Sequence, residues 1–467
     1  MKMWSGRFRQ ALDPDFERWQ RSFDFDQRLL KHELAASSAH ARALKVAGVL
    51  SSSELIAILQ GLEKIGELAA ASPEFLKDNE AEDVHHFVEK QLVALIGDAG
   101  YKLHSGRSRN EQIATDLRLY VRAAIDQQRI DLADLAGTLL ERAEQAGNAA
   151  MPAYTHLQRA EPVLVSHWLL AYVEMFLRDA DRLADCRKRV NVCPLGSGAV
   201  AGATLPLDRR AMSADLGFNS PTANSIDAAS DRDFILEFVN TLSLLALHLS
   251  RWAEEMILFS TQEFGFIHLP EAYSTGSSAM PQKKNPDLLE LARGKAGRVI
   301  GNATALMIAV KGLPLAYNKD LQETQEPLFD AADTILTLVP LATGWMKAAE
   351  FDYERMQQAA QSGFMNAWAA ATYLVQRGVP SRQAHEQVGR IVQKCMESGC
   401  ELQDLPLDEL RSINPLFDQD LYTSLTLASV LAIHDVLGGT APARVRQAIA
   451  EAKHKIETIS EEVHAHP

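Results

Sequence analysis

Residues 276 to 287, GSSAMPQKKNPD, gather side chains suited to handling a negatively charged reactant. Gly276, Ser277 and Ser278 read as a mobile, hydroxyl-bearing turn, and Lys283 and Lys284 follow with no acid until Asp287. In a chain of 467 residues with a formal net charge of −14, this is a local cationic island. Asn285 followed by Pro286 reads as a helix N-cap with proline at the first helical position, so a helix dipole adds partial positive charge. A carboxylate or phosphate suits such a place, although a generic Ser/Gly/Lys loop is more often a solvated surface turn. Four further segments interrupt helical patterning in the same way: SGRSRN at 105–110, MPAYTHLQ at 151–158, PLGSGAVAG at 194–202 and GLPLAYNKDLQ at 312–322. Loops carried between rigid helices are where binding and catalytic groups concentrate.

The elements that must position these loops are long helices. Neither proline nor glycine occurs from Thr222 to Phe264, and Ile235, Phe238, Val239, Leu242, Leu245, Ala246 and Leu249 recur at three- and four-residue steps. One very long helix is the simplest reading there. Glu111 to Gly147 behaves likewise, with Leu117, Val121, Ile125, Leu132, Leu135 and Leu139 on one face, and Val163 to Val192 and Asp287 to Lys311 complete the set. Helices of this length need apolar partners along their whole course. No segment alternates β-branched residues with period two, so no substantial sheet is expected. The chain therefore reads as all-α, a long central helical bundle (106–358) flanked by a smaller N-terminal helical domain (1–105) and a smaller C-terminal one (359–467).

Composition narrows the partners. With 47 Lys+Arg against 61 Asp+Glu and 7% aromatic residues, neither nucleic acid nor an acidic membrane surface is an expected partner. The most apolar region, Phe234 to Phe259, is interrupted by Glu237, Asn240, His248, Arg251 and Glu254, so no membrane span is expected. The four cysteines form no CxxC pair, which points to a reducing, cytoplasmic setting without a zinc site or disulfide framework. His85 and His86 beside Glu82 and Asp83 are the one string that suggests a metal.

GSSAMPQKKNP resembles the signature of the fumarase/aspartase superfamily, and its QKK version is similar to that of the argininosuccinate lyase family. LHSGRSRNEQIATDLRL, MPAYTHLQRAEPV, PLGSGAVAG, SDRDFILEF and GLPLAYNKDLQE are each similar to that family's motifs, in its order, and the opening WSGRF resembles its N-terminus. The resemblance runs from Trp4 to about Asp330 and weakens beyond. It implies a fumarase/aspartase-like fold, a homotetramer with active sites shared between subunits, and cofactor-free, metal-free β-elimination of argininosuccinate to L-arginine and fumarate in arginine biosynthesis. The AEDVHH string resembles the family's EDIH, which needs no metal.

By the same resemblance Ser277 is the general base, Lys283 stabilises the aci-carboxylate formed on proton removal, and His156, oriented by Glu290, serves the leaving group. Ser22, Asn110, Thr155, Asn285, Tyr317 and Gln322 bind substrate, while Arg107, Arg109 and Lys319 supply positive potential; the plainer role for the two arginines is a salt bridge to a helix. One departure stands out, since Gln325 occupies a position where the family usually has a substrate-contacting lysine. Other fumarate-releasing lyases of the superfamily are the nearest enzymatic alternative. A non-catalytic structural protein on the same fold, as lens crystallins exemplify, is the alternative from another class.

Overall fold

The computed structural model describes residues 10–465, so the WSGRF string, residues 4 to 8, lies outside the described residues. In chain order the elements used below are α1 (Leu30–Val46), α2 (Ser52–Ala71), α3 (Val84–Ile96), α4 (Arg109–Ala146), β1 (Ala150–Thr155), β2 (Gln158–Leu164), α5 (Val165–Val190), α6 (Asp233–Ser260), β3 (Thr275–Gly276), β4 (Lys284–Asn285), α7 (Asp287–Val310), α8 (Gln325–Ala348), α9 (Ala367–Gln376), α10 (Ser381–Ser398) and α11 (Pro442–His464). The fold is helical, and among the described residues strands occur only in two-stranded pairs.

The apolar stripes read from the sequence are the buried faces of their helices. On α4, Leu117, Val121, Ile125, Leu132, Leu135 and Leu139 are all buried, and on α6 so are Ile235, Phe238, Val239, Leu242, Leu245, Ala246 and Leu249. Each large aliphatic or aromatic side chain removed from water contributes about 1.5–3 kcal/mol, which is what holds helices too long for propensity alone. α6 is the one described helix long and apolar enough to cross a membrane, but 56% of its most apolar stretch is buried inside this chain. Its apolar face is core.

Four differences from the sequence reading have local causes. The proline- and glycine-free run from Thr222 is not one helix: Asn224 caps a short helix, Ser225–Ser230, and α6 starts afresh at Asp233, whose N–H is taken by the Asp231 carboxylate at 2.8 Å. MPAYTHLQ is not a loop but most of a β-hairpin, β1 against β2, and Val163 and Leu164 belong to its second strand rather than to α5. A fifth long helix, α8, carries Pro340 inside it, the residue that hides it from a reading based on breakers. Asn285 is not a helix N-cap, because it pairs with Thr275 in the β3–β4 ladder, and Pro286 accepts the first helical N–H, from Glu290, at 3.0 Å.

Two compact units emerge, one holding Met1–Gln127, Arg182–Ser243 and Arg298–Thr334, the other Gln128–Asp181, Leu244–Gly297 and Ile335–Pro467. The boundaries between them fall inside α4, α5, α6, α7 and α8. In the first unit, α2 is started by a reciprocal capping box, Glu54 N–H to Ser51 Oγ at 3.2 Å and Ser51 N–H to Glu54 Oε2 at 2.8 Å. α3 is started by Asp83, which accepts from the His86 N–H at 2.7 Å. In the second unit, α9 and α10 close a C-terminal core around Leu374, Ile391, Cys395 and Phe417.

Candidate functional site

Three of the five candidate segments fall in the first unit. SGRSRN leads into α4, and its Ser108 N–H is taken by Glu111 Oε1 at 3.0 Å. The other oxygen of Glu111 accepts the Gly198 N–H, in the PLGSGAVAG loop, at 2.9 Å. Asn110 Nδ2 reaches the Ala199 carbonyl at 3.4 Å, so these two segments are physically joined. Arg109 pairs with Glu82 at 3.2 Å and Asp83 at 3.1 Å and lines an open cleft of about 700 Å³ with Arg21, His86 and Lys90. Arg107 is almost entirely buried, with Nη1 2.9 Å from Ser37 Oγ and 3.8 Å from Glu33.

In GLPLAYNKDLQ, the Tyr317 hydroxyl is pushed up by burial and feels Arg232, Asp83, Glu82 and Arg109. Gln322 donates to the Gln20 carbonyl at 3.2 Å, two residues before Ser22. Ser22 is buried and its hydroxyl donates to Asp26 at 2.6 Å. Lys319 is exposed. Gln325 is buried at the start of α8 with its carbonyl oxygen unpartnered.

The second unit carries the other two segments. Thr155 and Gln158 pair as the closing residues of the β1–β2 hairpin, leaving His156 and Leu157 at its tip with φ of 54° and 58°. Positive φ at both central positions is the geometry of a type I′ turn, normally filled by Asn-Gly. Of the four non-glycine residues with positive φ among the described residues, His156, Leu157 and Ala316 lie in candidate segments. Backbone held this way is costly and concentrates at functional sites.

In the GSSAMPQKKNPD loop the β3–β4 ladder forms the stem, tied by Thr275 N–H to Asp287 Oδ2 at 2.8 Å. Ser277 Oγ accepts two backbone donors, Ala279 N–H at 3.2 Å and Met280 N–H at 3.1 Å. Two donors aimed at one hydroxyl oxygen favour negative charge on it. The cationic island is smaller than the sequence suggests: both lysines are exposed, but Lys284 is paired with Glu271 at 3.0 Å. Glu290 lies 3.9 Å from Arg293, its ion pair in this chain, while His156 stands exposed at the hairpin tip.

Reading the sequence missed a buried polar network in the first unit. Glu33, His85 and Asp116 converge from α1, α3 and α4 with ligand atoms within 4.8 Å of one another. His85 Nδ1 is 2.9 Å from Glu33 Oε2 and 3.7 Å from Asp116 Oδ2. Burial, with Glu33 beside it, pushes the Asp116 carboxyl well up, while His85 and Arg107 outweigh burial and bring Glu33 down. Arg107, 3.8 Å from Glu33, supplies opposite charge to this cluster from within the protein. Of the other members of the AEDVHH string, Glu82 and Asp83 pair with Arg109, and His86 Nδ1 accepts the Glu82 N–H at 3.3 Å. Nearby, burial and then Asp83 raise Asp26 to about 7.

Comparison with known proteins decides the family. Residues 6–301 match the family model described as lyase, and residues 364–432 match one described as argininosuccinate lyase C-terminal. The argininosuccinate lyase of Koribacter versatilis is 58% identical over 464 residues, covering 99% of both chains. That of Acidobacterium capsulatum is 60% identical, covering 97% of this chain and 94% of its own. This chain belongs to the argininosuccinate lyase family.

Among solved structures, an EDDS lyase in complex with formate is similar with a TM-score of 0.85 at 26% identity, covering 98% of this chain and 92% of that one. A class II fumarase from Schistosoma mansoni shares the fold alone, with a TM-score of 0.72 at 17% identity. The C-terminal match extends the kinship past Asp330, where the motifs weaken. One missed residue did leave a trace in the sequence: Ser108 and Glu111 are spaced as a capping box. Glu33 and Asp116 left none, because only the packing of three separate helices brings them to His85.

Proposed function

We propose that this protein cleaves argininosuccinate into L-arginine and fumarate, a step of arginine biosynthesis, by base-initiated β-elimination without a cofactor. The observation that carries this reading is the Ser277 oxygen held under two backbone N–H groups, with Lys283 on the same loop and a family match over the whole chain. In the proposed reaction Ser277, as the alkoxide that the two amides and Lys283 favour, takes a proton from the carbon next to a substrate carboxylate and becomes the neutral hydroxyl. Negative charge moves onto that carboxylate as the aci form, where Lys283 and loop amides oppose it. His156 then serves the departing guanidino nitrogen, and Glu290 fixes the imidazole.

Substrate contacts divide by charge. Arg109, Asn110, Thr155 and Asn285 answer the carboxylates, Tyr317 and Gln322 the polar remainder, and Lys319 adds long-range potential. Arg107 acts from beneath, through Glu33 and Ser37, on the loop that presents Asn110. The Ser22 hydroxyl donates its hydrogen bond to Asp26, so its oxygen is left as an acceptor for the guanidinium end of the substrate.

The active form we propose is a homotetramer whose sites draw segments from more than one subunit. On α7, an added Cβ at Gly294, Gly297 or Gly301 would meet nothing within 4 Å, and Leu291, Met307 and Ile308 on the same helix are exposed. Each glycine costs a helix about 1 kcal/mol against alanine, a cost that close approach of another helix offsets. Four free cysteines, three of them buried, fit action in the cytoplasm.

One assay tests the activity: purified protein is incubated separately with argininosuccinate, adenylosuccinate, aspartate and malate while fumarate is followed by ultraviolet absorbance. Release from argininosuccinate is expected. Release from adenylosuccinate alone would sink the reading, and release from none would favour a structural protein on this fold.

A further inference from the structure

The C-terminal end of α10 holds two of the cysteines in one turn. The helix stops at Gly399, in the left-handed conformation at φ 66°, and the Cys395 carbonyl accepts the N–H of Gly399 and, at 3.1 Å, that of Cys400. A cap of this kind folds the second residue past the helix back over the last turn, where its side chain usually contacts the residue whose carbonyl closes the cap. Here those two residues are Cys395 and Cys400. Cys395 has no exposed surface and belongs to the C-terminal core, and Cys400, half-buried, packs against that same core. Both are free thiols.

We propose that Cys395 and Cys400 form a reversible dithiol/disulfide clasp on the end of α10, closed by exchange with a low-molecular-weight disulfide. Cys400, the accessible member, attacks first as its thiolate: its sulfur bonds to one sulfur of glutathione disulfide, the S–S bond of that reagent breaks, and one glutathione thiolate leaves. Cys395 then loses its proton and attacks the Cys400 sulfur, expelling the second glutathione. Two protein thiols are oxidised, one disulfide is reduced to two thiols, and the protons lost by the protein are taken up by the glutathione thiolates. Burial, with Cys400 next to it, holds the Cys395 thiol up to about 12. The clasp therefore stays open in a reducing setting and closes slowly, in the second step, under oxidative challenge.

The full-length protein is incubated with glutathione disulfide, acid-quenched and digested, and peptides spanning residues 381–411 are weighed. The expected product is a peptide lacking two hydrogens, with an internal Cys395–Cys400 bond that reductant opens. Because the second step needs the Cys395 thiolate, closure should quicken nearly tenfold per pH unit from about pH 7 to about pH 9, with the mixed disulfide accumulating at the acid end. Cys400→Ser should remain unmodified on this peptide, and Cys395→Ser should stop with glutathione on Cys400. Cys395→Ala serves the same purpose if serine in the core impairs folding, and fumarate release reports that each variant is native. Wild-type protein that ends with glutathione on Cys400 at every pH, or that shows no reaction at Cys400, would overturn the proposal.

Discussion

Glu111 and Gly198 are joined by a 2.9 Å hydrogen bond from the Gly198 amide to a carboxylate with no exposed surface. The second carboxylate oxygen takes the Ser108 amide, so one side chain fastens the loop before α4 to the loop before residue 203. Glu111→Ala leaves two N–H groups without an acceptor, that of Gly198 buried and that of Ser108 half-buried, which costs about 2–6 kcal/mol at about 1–3 kcal/mol for each. Glu111→Gln keeps one acceptor and should cost about half of that. Chemical denaturation gives the order, and turnover should fall with it, because Asn110 sits between the two bonded residues. Equal stability of the alanine variant and wild type would remove Glu111 from this role.

Ser277→Ala should abolish turnover while leaving the fold and substrate binding largely intact. The side chain is on a loop, and what it loses is an oxygen that accepts two amides, not packing. Calorimetric titration with argininosuccinate beside a fumarate assay separates the two effects. Full activity in the variant would move the base elsewhere.

Leu157→Gly should stabilise the hairpin and disturb catalysis. Leu157 is 69% exposed with φ of 58°, so little packing is lost and a strained conformation becomes free for glycine. The gain is about 1 kcal/mol at most, offset by the entropy glycine adds to the unfolded chain. His156, the neighbour at the tip, loses its rigid support, so kcat should fall while thermal stability holds or rises. A fall in stability by more than about 2 kcal/mol would mean that Leu157 is held by contacts stronger than the strain.

Stability should decline as pH rises through neutrality, through Asp26. Its folded value of about 7 lies above the ordinary 3.8, so the folded state holds the proton more tightly. That contribution is complete below about pH 4 and is lost as pH climbs through about 7, to the extent of about 4 kcal/mol. Asp26→Asn keeps a neutral group that still accepts from the Val84 amide, bonded to Asp26 at 3.0 Å. The variant should match wild type near pH 4 and be the more stable near pH 8, read as a difference in melting temperature. A constant difference across that range would show that Asp26 does not titrate with folding.

How legible the molecule was depends on where each signal lies along the chain. α4 and α6 announce themselves because their buried stripes and their lack of breakers are local properties of one segment. α8 hides behind Pro340, and the β1–β2 hairpin behind Pro152 and Pro162, which face each other across it, and behind a turn without glycine. The loop at 276–287 was legible as chemistry but not as electrostatics, since the acid that neutralises Lys284 is Glu271, on the far side of the stem. Asp26, Glu33, His85 and Asp116 acquire unusual acidities only when separate helices bury them together. A linear reading has no access to that.

α4 is one helix of 38 residues, and at 1.5 Å per residue it extends about 57 Å. Asn110 is its second residue, and the hairpin that carries Thr155 and His156 begins at Ala150, just past its other end. Both belong, by the family resemblance, to a single substrate, so we expect each site to take its Asn110 from one chain and its His156 from another, as closed symmetric packing permits. An Asn110→Ala variant and a His156→Asn variant, each inactive alone, should then regain activity when co-expressed. In randomly mixed tetramers half of the chains are intact at each position, so about a quarter of the sites receive both groups intact. Tetramers shown to be mixed by native mass spectrometry yet inactive would mean that both groups come from one chain, and the helix or the shared site would have to be abandoned.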